Sequence, residues 1–303
     1  MSLDEATRAA VDAARAPGVP TLRDLGVDRA RKVVAGMARG FRGPAPAERR
    51  EVSIGGSGRG VLLVPAEPVT ALVVHFHGGG WTLGAPEQHE AFGAALATAA
   101  GAAVLLPGYR LAPEHPFPAA IEDAWAAVRW AADRVIELAG SNVPLIVSGD
   151  SAGGNLAAVV ARRARDGGGP TIAHQLLAYP ALDPAGTTPS YLDPDNQLIF
   201  DADLLRWFWA QYAAGADRAD PDLVPLRAEL GGLPPATVLL AEHDVLSDEG
   251  RAYAAALAAA GVPSRVHTVA GQAHGFLTMV GALPGAVEGV ALLADAVRVG
   301  VPR

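Results

Sequence analysis

Residues 149–155 read Gly-Asp-Ser-Ala-Gly-Gly-Asn, after the apolar run Pro144-Leu-Ile-Val147 and before Leu156-Ala-Ala-Val-Val-Ala161. A serine with a glycine two residues away on each side, at a strand-to-helix switch, is a nucleophile elbow. The chain there reverses so sharply that Ser151 must take a strained backbone conformation. A side chain at 149 or 153 would collide with the neighbouring strand or helix. The hydroxyl is pushed out above the sheet, at the positive end of the following helix. With nine serines and 35 glycines in 303 residues, the pattern arises by chance roughly 0.1 times. Its weight comes from the segments around it.

Upstream, the apolar run Ala71-Leu-Val-Val74 leads into His75-Phe-His-Gly-Gly-Gly-Trp81, so Gly78, Gly79 and Gly80 leave the end of a predicted strand. Acyl transfer needs fixed N–H donors for the oxyanion of a tetrahedral intermediate. Consecutive glycines let the main chain approach a substrate closely and adopt positive φ. A further donor is the N–H of Ala152, just after the serine.

An acid and a histidine should follow, each at the carboxyl end of a later strand. Ala236-Thr-Val-Leu-Leu-Ala241 reads as one strand, followed by Glu242-His-Asp-Val-Leu-Ser-Asp248; Ser264-Arg-Val-His-Thr-Val269 reads as another, followed by Ala270-Gly-Gln-Ala-His274-Gly-Phe. Of eight histidines, only His243, His267 and His274 come late enough. His267 sits inside a strand and His243 on the acid loop, which leaves His274 as the base. Asp244 is the first aspartate past its strand end. Asp248 is the competing acid, but it and Glu249 fall in the first turn of the next helix, where carboxylates also belong for helix-dipole reasons.

With these motifs in order, the chain resembles a bacterial member of the hormone-sensitive-lipase-like esterases, the α/β-hydrolase branch carrying both His-Gly-Gly-Gly and Gly-Asp-Ser-Ala-Gly-Gly. Tyr109-Arg-Leu-Ala-Pro-Glu-His115, Phe117-Pro-Ala-Ala-Ile-Glu-Asp-Ala124, Tyr179-Pro180, Leu233-Pro-Pro235 and His274-Gly-Phe276 are similar to segments of that family. The likeness spans roughly residues 45–300. It implies Ser151 as nucleophile, Asp244 as acid and His274 as base, with an oxyanion hole from amides among Gly78–Gly80 and Ala152. Three features depart from the family. The stretch before His77 is short, the acid loop reads Glu-His-Asp-Val-Leu, and Ala273 stands where the family has an aromatic or larger aliphatic residue. The last would widen the pocket beside His274.

The elements that must position these groups follow from periodicity. Asp4–Ala14 and Leu22–Met37 read as amphipathic helices, and residues 40–50 as a Gly/Pro/Arg linker. Strands are predicted at 60–64, 71–76, 103–107, 144–148, 173–179, 236–241 and 264–269, with helices at 88–100, 117–138, 152–165, 247–260 and 284–298. This alternation predicts an α/β-hydrolase fold, a mostly parallel sheet with helices on both faces. Residues 183–232 break the rhythm with a Pro/Asp/Thr-rich loop and the aromatic helix Leu204-Leu-Arg-Trp-Phe-Trp-Ala-Gln-Tyr212. The expected organisation is an N-terminal cap part (1–45), a core in two parts (46–182 and 233–303) and an inserted cap segment (183–232). Trp81, Tyr179, Trp207, Phe208 and Phe276 are candidates for the substrate pocket, although aromatics at helical spacing also serve packing.

Composition agrees with a soluble enzyme. A net charge of −8 argues against nucleic acid or an anionic membrane surface. There is no cysteine, which excludes disulfides and thiolate metal sites. The first twenty residues carry Asp4, Glu5, Arg8, Asp12 and Arg15 with no uninterrupted apolar stretch, so no leader is expected, and no stretch of the chain approaches about 18 uncharged apolar residues without glycine and proline breaks, so no membrane span is expected. Cytoplasmic residence follows as the default, and a homodimer is compatible with the sequence. His75 and His77 share a strand face as metal ligands sometimes do, but no third ligand has suitable spacing, and no metal or other cofactor is expected. His77 is read instead as a backbone partner shaping the glycine loop, His115 as a turn residue, and Asp150 as a structural hydrogen-bonder pointing away from the chemistry. The function predicted is a serine carboxylesterase for short- to medium-chain acyl esters. Action on an amide or a specialised ester, or a non-catalytic binding role on the same fold, are the alternatives.

Overall fold

In the computed structural model, which describes residues 2–55, 58–66 and 68–300, the strands form a single sheet ordered β1-β2-β4-β3-β5-β6-β7-β8. They are β1 (Glu48–Ile54), β2 (Gly58–Val64), β3 (Leu72–Phe76), β4 (Ala103–Pro107), β5 (Leu145–Asp150), β6 (Ile172–Ala178), β7 (Ala236–His243) and β8 (Ser264–Ala273). β2 pairs antiparallel with β1 and β4, and every other pairing is parallel. The helices are α1 (Glu5–Ala14), α2 (Leu22–Ala38), α3 (Glu90–Ala100), α4 (Ala119–Ala132), α5 (Val135–Ala139), α6 (Ala152–Asp166), α7 (Pro189–Leu192), α8 (Ala202–Tyr212), α9 (Ser247–Ala259) and α10 (Pro284–Gly300).

β3, β4 and β5 are buried along their whole length, as parallel strands covered on both faces must be. Alternation sends Leu72, Val74 and Val147 to the face packed by α4, α6 and α9, and Val73, Val104 and Ile146 to the face packed by α3 and α10. The α/β-hydrolase architecture read from the sequence is the one observed. No helix among the described residues is long and apolar enough to cross a membrane.

Three departures from the sequence reading are larger than a shift of two residues at an element's end. The linker assigned to 40–50 gives way at Glu48 to edge strand β1, whose Glu-Arg-Arg-Glu start leaves one face in water; charge on an edge strand masks its β character and guards it against foreign pairing. The helix expected over 117–138 breaks at Asp133-Arg134 into α4 and α5. β8 does not stop at Val269 but resumes after a bulge and pairs Ala273 with His243. Gly271, at φ +66, looks like a strand breaker in sequence. Within the bulge its N–H is taken by Glu242 Oε2 at 2.7 Å, so the strand continues to the residue before His274.

α2 and α8 contribute side chains to the cavity that meets Ser151 and His274, and α1 is tied to β8. Asp4 caps α1 and its N–H donates to Gly271 O at 3.1 Å, while α2 packs on α8. The segment 183–232 is tied down by the first turn of α9. Asp248 Oδ2 accepts from Ser190 N at 2.8 Å, and Glu249 Oε2 accepts from Leu182 N at 2.6 Å and Asp183 N at 2.9 Å. Burial pushes the Glu249 carboxyl up to about 8. The folded chain therefore holds a proton there that the unfolded chain releases near the ordinary carboxyl value. That contribution to stability is complete at pH 4 and fades as pH rises through about 8. Glu249→Gln should flatten the thermal-stability profile between pH 5 and 8.5, gaining on the parent as pH rises. A parent-minus-variant difference in melting temperature that stays constant with pH would show that Glu249 does not carry this proton.

Candidate active site

The turn after β5 places Ser151 at φ 54 and ψ −116, a left-handed strain seen in L residues mainly at functional positions. Its peptide is held on both sides: Ser151 N donates to Ala178 O at 2.9 Å and Ala181 N to Ser151 O at 3.1 Å. The flanking glycines are sterically obligatory. A Cβ on Gly149 would lie 2.1 Å from Gly153 O, and one on Gly153 would lie 2.0 Å from Phe76 O. β5, the start of α6 and the end of β3 are thus in backbone contact, and this brings the loop after β3 beside Ser151.

Asp244 is the first residue beyond β7 and His274 the first beyond β8. His274 Nδ1 lies 2.8 Å from Asp244 Oδ2, and His274 Nε2 lies 3.0 Å from Ser151 Oγ. Asp244 Oδ1 accepts from Leu246 N at 2.9 Å, which fixes the carboxylate plane. Relative exposures of 7% for Ser151, 8% for His274 and 1% for Asp244 leave water little competition for these bonds, and charge interactions are stronger there. The imidazole is held between Tyr179 and Phe200, with ring centroids 4.7 and 4.9 Å away. Asp248, the competing acid, faces Ser190. Of the other late histidines, His267 remains within β8 and His243 ends β7.

The glycine loop runs beside Ser151, but its three amides are not equivalent. Gly78 N–H donates to Asp150 Oδ1 at 2.9 Å, so the structure removes it from the free donors. Gly79 (φ +112) and Gly80 (φ +59) follow with no amide acceptor among the described residues, and Ala152 begins α6. Gly79 and Gly80 line the same cavity as Ser151. His77 Nδ1 bonds Gly78 O at 2.8 Å, and Tyr109 Oη donates to His77 O at 2.7 Å. Burial, with His89 nearby, pushes the His77 imidazole down to about 3, so it stays a neutral donor at Nδ1.

The pocket candidates separate on inspection. A cavity of about 100 Å³ meets Ser151, Gly78–Gly80 and His274, and Phe208 is the one candidate aromatic lining it. Trp81 is buried against Tyr212 and Trp209, Tyr179 lies behind His274, Phe276 packs edge-on against Tyr179, and Trp207 is half-buried outside the cavity. These four correct the sequence reading: most aromatic area near the site goes into packing. Ala273, expected to widen the pocket, is the buried last residue of β8 and does not line the cavity. Walls unforeseen in the sequence include Leu22 and Val34 of α2, Leu205 of α8, and Phe200; Phe200 lies in an irregular loop with no periodicity to mark it. A larger hollow of about 470 Å³ lies across the loop near His77, Tyr109 and Arg110 and touches none of Ser151, Asp244 or His274.

The structure also overturns the view that His75 has no neighbouring ligand. His75, His89 and Asp150 bring one donor atom each within 4.8 Å of one another. The Gly78 N–H is aimed into that cluster, 2.9 Å from Asp150 Oδ1 and 3.4 Å from His89 Nε2. It sets a partly positive hydrogen where a cation would sit, so the cluster fits a proton network better than a metal.

With this geometry in view, comparison with known proteins is direct. An α/β-hydrolase-fold family model matches residues 73–278. Carboxylesterase NlhH of Mycobacterium tuberculosis is 43% identical over 72% of this chain and 70% of its own. Ethyl acetate hydrolase of Pseudomonas putida is 36% identical over 75% and 73%. A hyperthermophilic esterase from the archaeon Pyrobaculum calidifontis superposes with a TM-score of 0.90 at 36% identity, covering 99% of both chains. The chain belongs to the α/β-hydrolase-fold family, in the hormone-sensitive-lipase-like branch whose motifs it carries.

The elbow yields a direct test. Gly153→Ala must displace the backbone of β3 or α6, and should cost about 3 kcal/mol or more, in the range of severe overpacking. Chemical denaturation of Gly153→Ala beside Gly168→Ala, where the new Cβ meets nothing within 4 Å but the backbone is left-handed, separates close approach from φ strain. Equal losses in the two variants would mean that the elbow contact is not limiting.

Proposed function

We propose that this chain hydrolyses short-chain carboxylic esters through an acyl-enzyme on Ser151, with His274 as general base and acid and Asp244 as its orienting carboxylate. The reaction class follows from kinship: the chain is a carboxylic ester hydrolase. The assignment of roles rests on one observation, the continuous line from Asp244 Oδ2 through His274 to Ser151 Oγ, with contacts of 2.8 and 3.0 Å. That same line disfavours a binding-only role for the fold.

In this mechanism His274 Nε2 takes the Ser151 proton as Oγ attacks the ester carbonyl. Asp244 keeps the other imidazole proton on Nδ1 and stabilises the imidazolium that forms. The carbonyl oxygen becomes negative between the amides of Gly79, Gly80 and Ala152. Donors of this kind contribute roughly 3–4 kcal/mol each. His274 then gives its proton to the leaving alkoxide, which departs as the alcohol. Water enters, His274 activates it, and the acyl group leaves as the acid.

A cavity of about 100 Å³, smaller than the few hundred Å³ usual for drug-sized ligands, supports short acyl groups. Phe208 closes it above Gly80, where a Cβ would come within 2.1 Å of the ring. The relative from Pseudomonas putida is named for ethyl acetate, a two-carbon acyl ester. We treat α1, α2 and segment 183–232 as a cap over this space.

Ser151→Ala should lower kcat by several orders of magnitude in a folded protein, and a fluorophosphonate should label the Ser151 peptide alone. Asp244→Asn should cut kcat by about 10⁴, whereas Asp248→Asn should reduce mainly thermal stability. Reversal of the last pair would move the acid to Asp248. In a series of nitrophenyl esters, acetate to hexanoate should turn over much faster than palmitate, with no jump at the micelle threshold. A preference for twelve carbons or more would show that the cap opens a channel.

A further inference from the structure

Asp150 ends β5 and immediately precedes Ser151, yet its carboxylate turns toward the glycine loop. Three groups converge on one oxygen, Oδ1: Gly78 N at 2.9 Å, His75 Nε2 at 3.3 Å and His89 Nε2 at 3.2 Å. His75 precedes the loop, Gly78 opens it, and His89 closes the short turn Pro86–His89 that ends it. Gly78 is thus hydrogen-bonded to the residue beside the nucleophile, and the imidazoles before and after the loop stand close to the same oxygen as charge contacts, His75 Nε2 without hydrogen-bond alignment. The fit is tight, since a Cβ on Gly78 would lie 2.3 Å from Asp150 Oδ2.

A carboxylate that is only 4% exposed is costly unless donors surround it. Its ion-pair partners among the described residues are imidazoles, with no lysine or arginine. Ser148 Oγ lies 2.9 Å from His75 Nδ1; a hydroxyl donating there leaves the ring proton on Nε2, facing Asp150. Burial raises the Asp150 pKa, but His89 and His75 outweigh it and hold the carboxyl well below its usual range. An acceptor for Gly78 alone would need no charge. A charged acceptor recruits a strand on one side and a turn on the other, which a neutral side chain would not hold as firmly.

We propose that Asp150, clasped by His75 and His89, is a positioning residue for ester hydrolysis: it fixes Gly78 so that the Gly79, Gly80 and Ala152 amides stay aimed at the oxyanion. This rests on the reading of Ser151 as nucleophile. It also explains why Gly78 is withdrawn from the donors, since the residue that anchors the loop cannot also bind substrate. Displacements of about 1 Å in such a site cost about 10²-fold in rate.

The test is Asp150→Asn, which keeps an acceptor for Gly78 but removes the charge. We expect kcat to fall 10-fold or more with KM within 3-fold, and the Ki of a trifluoromethyl ketone, which forms a tetrahedral oxyanion on the serine, to rise by the same factor. A merely structural residue would lower the melting temperature and leave kcat and Ki per folded molecule unchanged. Should Asp150→Asn not fold, His89→Leu should show the same paired loss, and His89→Gln, which restores a side-chain N–H, should recover most of it. Chelator treatment of the parent should leave activity unchanged; loss restored by Zn²⁺ would overturn the clasp in favour of a metal site. Fluorophosphonate labelling of Ser151 in the parent separates the two readings. Without labelling the nucleophile assignment falls, and the clasp with it. With labelling and parent-like kcat and Ki in the variants, the clasp alone falls.

Discussion

Backbone-to-backbone contact at the elbow is the constraint on which the site depends. Gly153 lies against the carbonyl of Phe76, and Gly149 against that of Gly153. Without side chains at these two points, the end of β3, the end of β5 and the first turn of α6 occupy nearly the same space. Everything the chemistry requires is near because of that approach. The loop after β3 starts where the helix starts, which puts Gly79 and Gly80 beside Ser151. The conformation this imposes on Ser151 is unfavourable in itself, and it is held by the peptide hydrogen bonds to Ala178 and Ala181.

Around that point the molecule uses buried carboxyl groups as fasteners. Asp244 orients an imidazole and is steadied by Leu246 N. Asp150 gathers the glycine loop. Glu249 collects the amides of Leu182 and Asp183 and so anchors the start of segment 183–232. Each carboxyl group is excluded from water, and each is matched by N–H donors whose positions it thereby determines. The same physics that makes an unpaired buried polar group costly makes these pairings specific. Aromatic rings act through packing instead. Tyr179 and Phe200 pack tilted against the His274 ring, and Trp81 locks α8 to the glycine loop through Tyr212 and Trp209.

Much of this is legible in the amino-acid order. Local requirements leave local marks: only glycine tolerates the approaches at 149 and 153, only short apolar runs make strands buried on both faces, and chain order places Asp244 and His274 after Ser151. Elements with a continuous pattern, such as β3 to β7, are legible to within two residues or so. Those with a masked pattern are not. β1 hides behind its charges, and the last turn of β8 hides behind Gly271, whose bulge is completed by Glu242 from another strand.

What the sequence determined by itself was the fold, the reaction class and the identities of Ser151, Asp244 and His274 as candidates, because each depends on a residue type at a set distance from a strand end. Tertiary structure alone decided which aromatic faces the cavity, that Phe200 and α2 supply its walls, that Gly78 gives its amide to Asp150, and that His75 and His89 meet there. These are contacts between segments distant in the chain. Periodicity reports which side of an element is buried, but not what covers it. Only the assembled sheet brings a residue before the glycine loop and one after it to the same carboxylate oxygen.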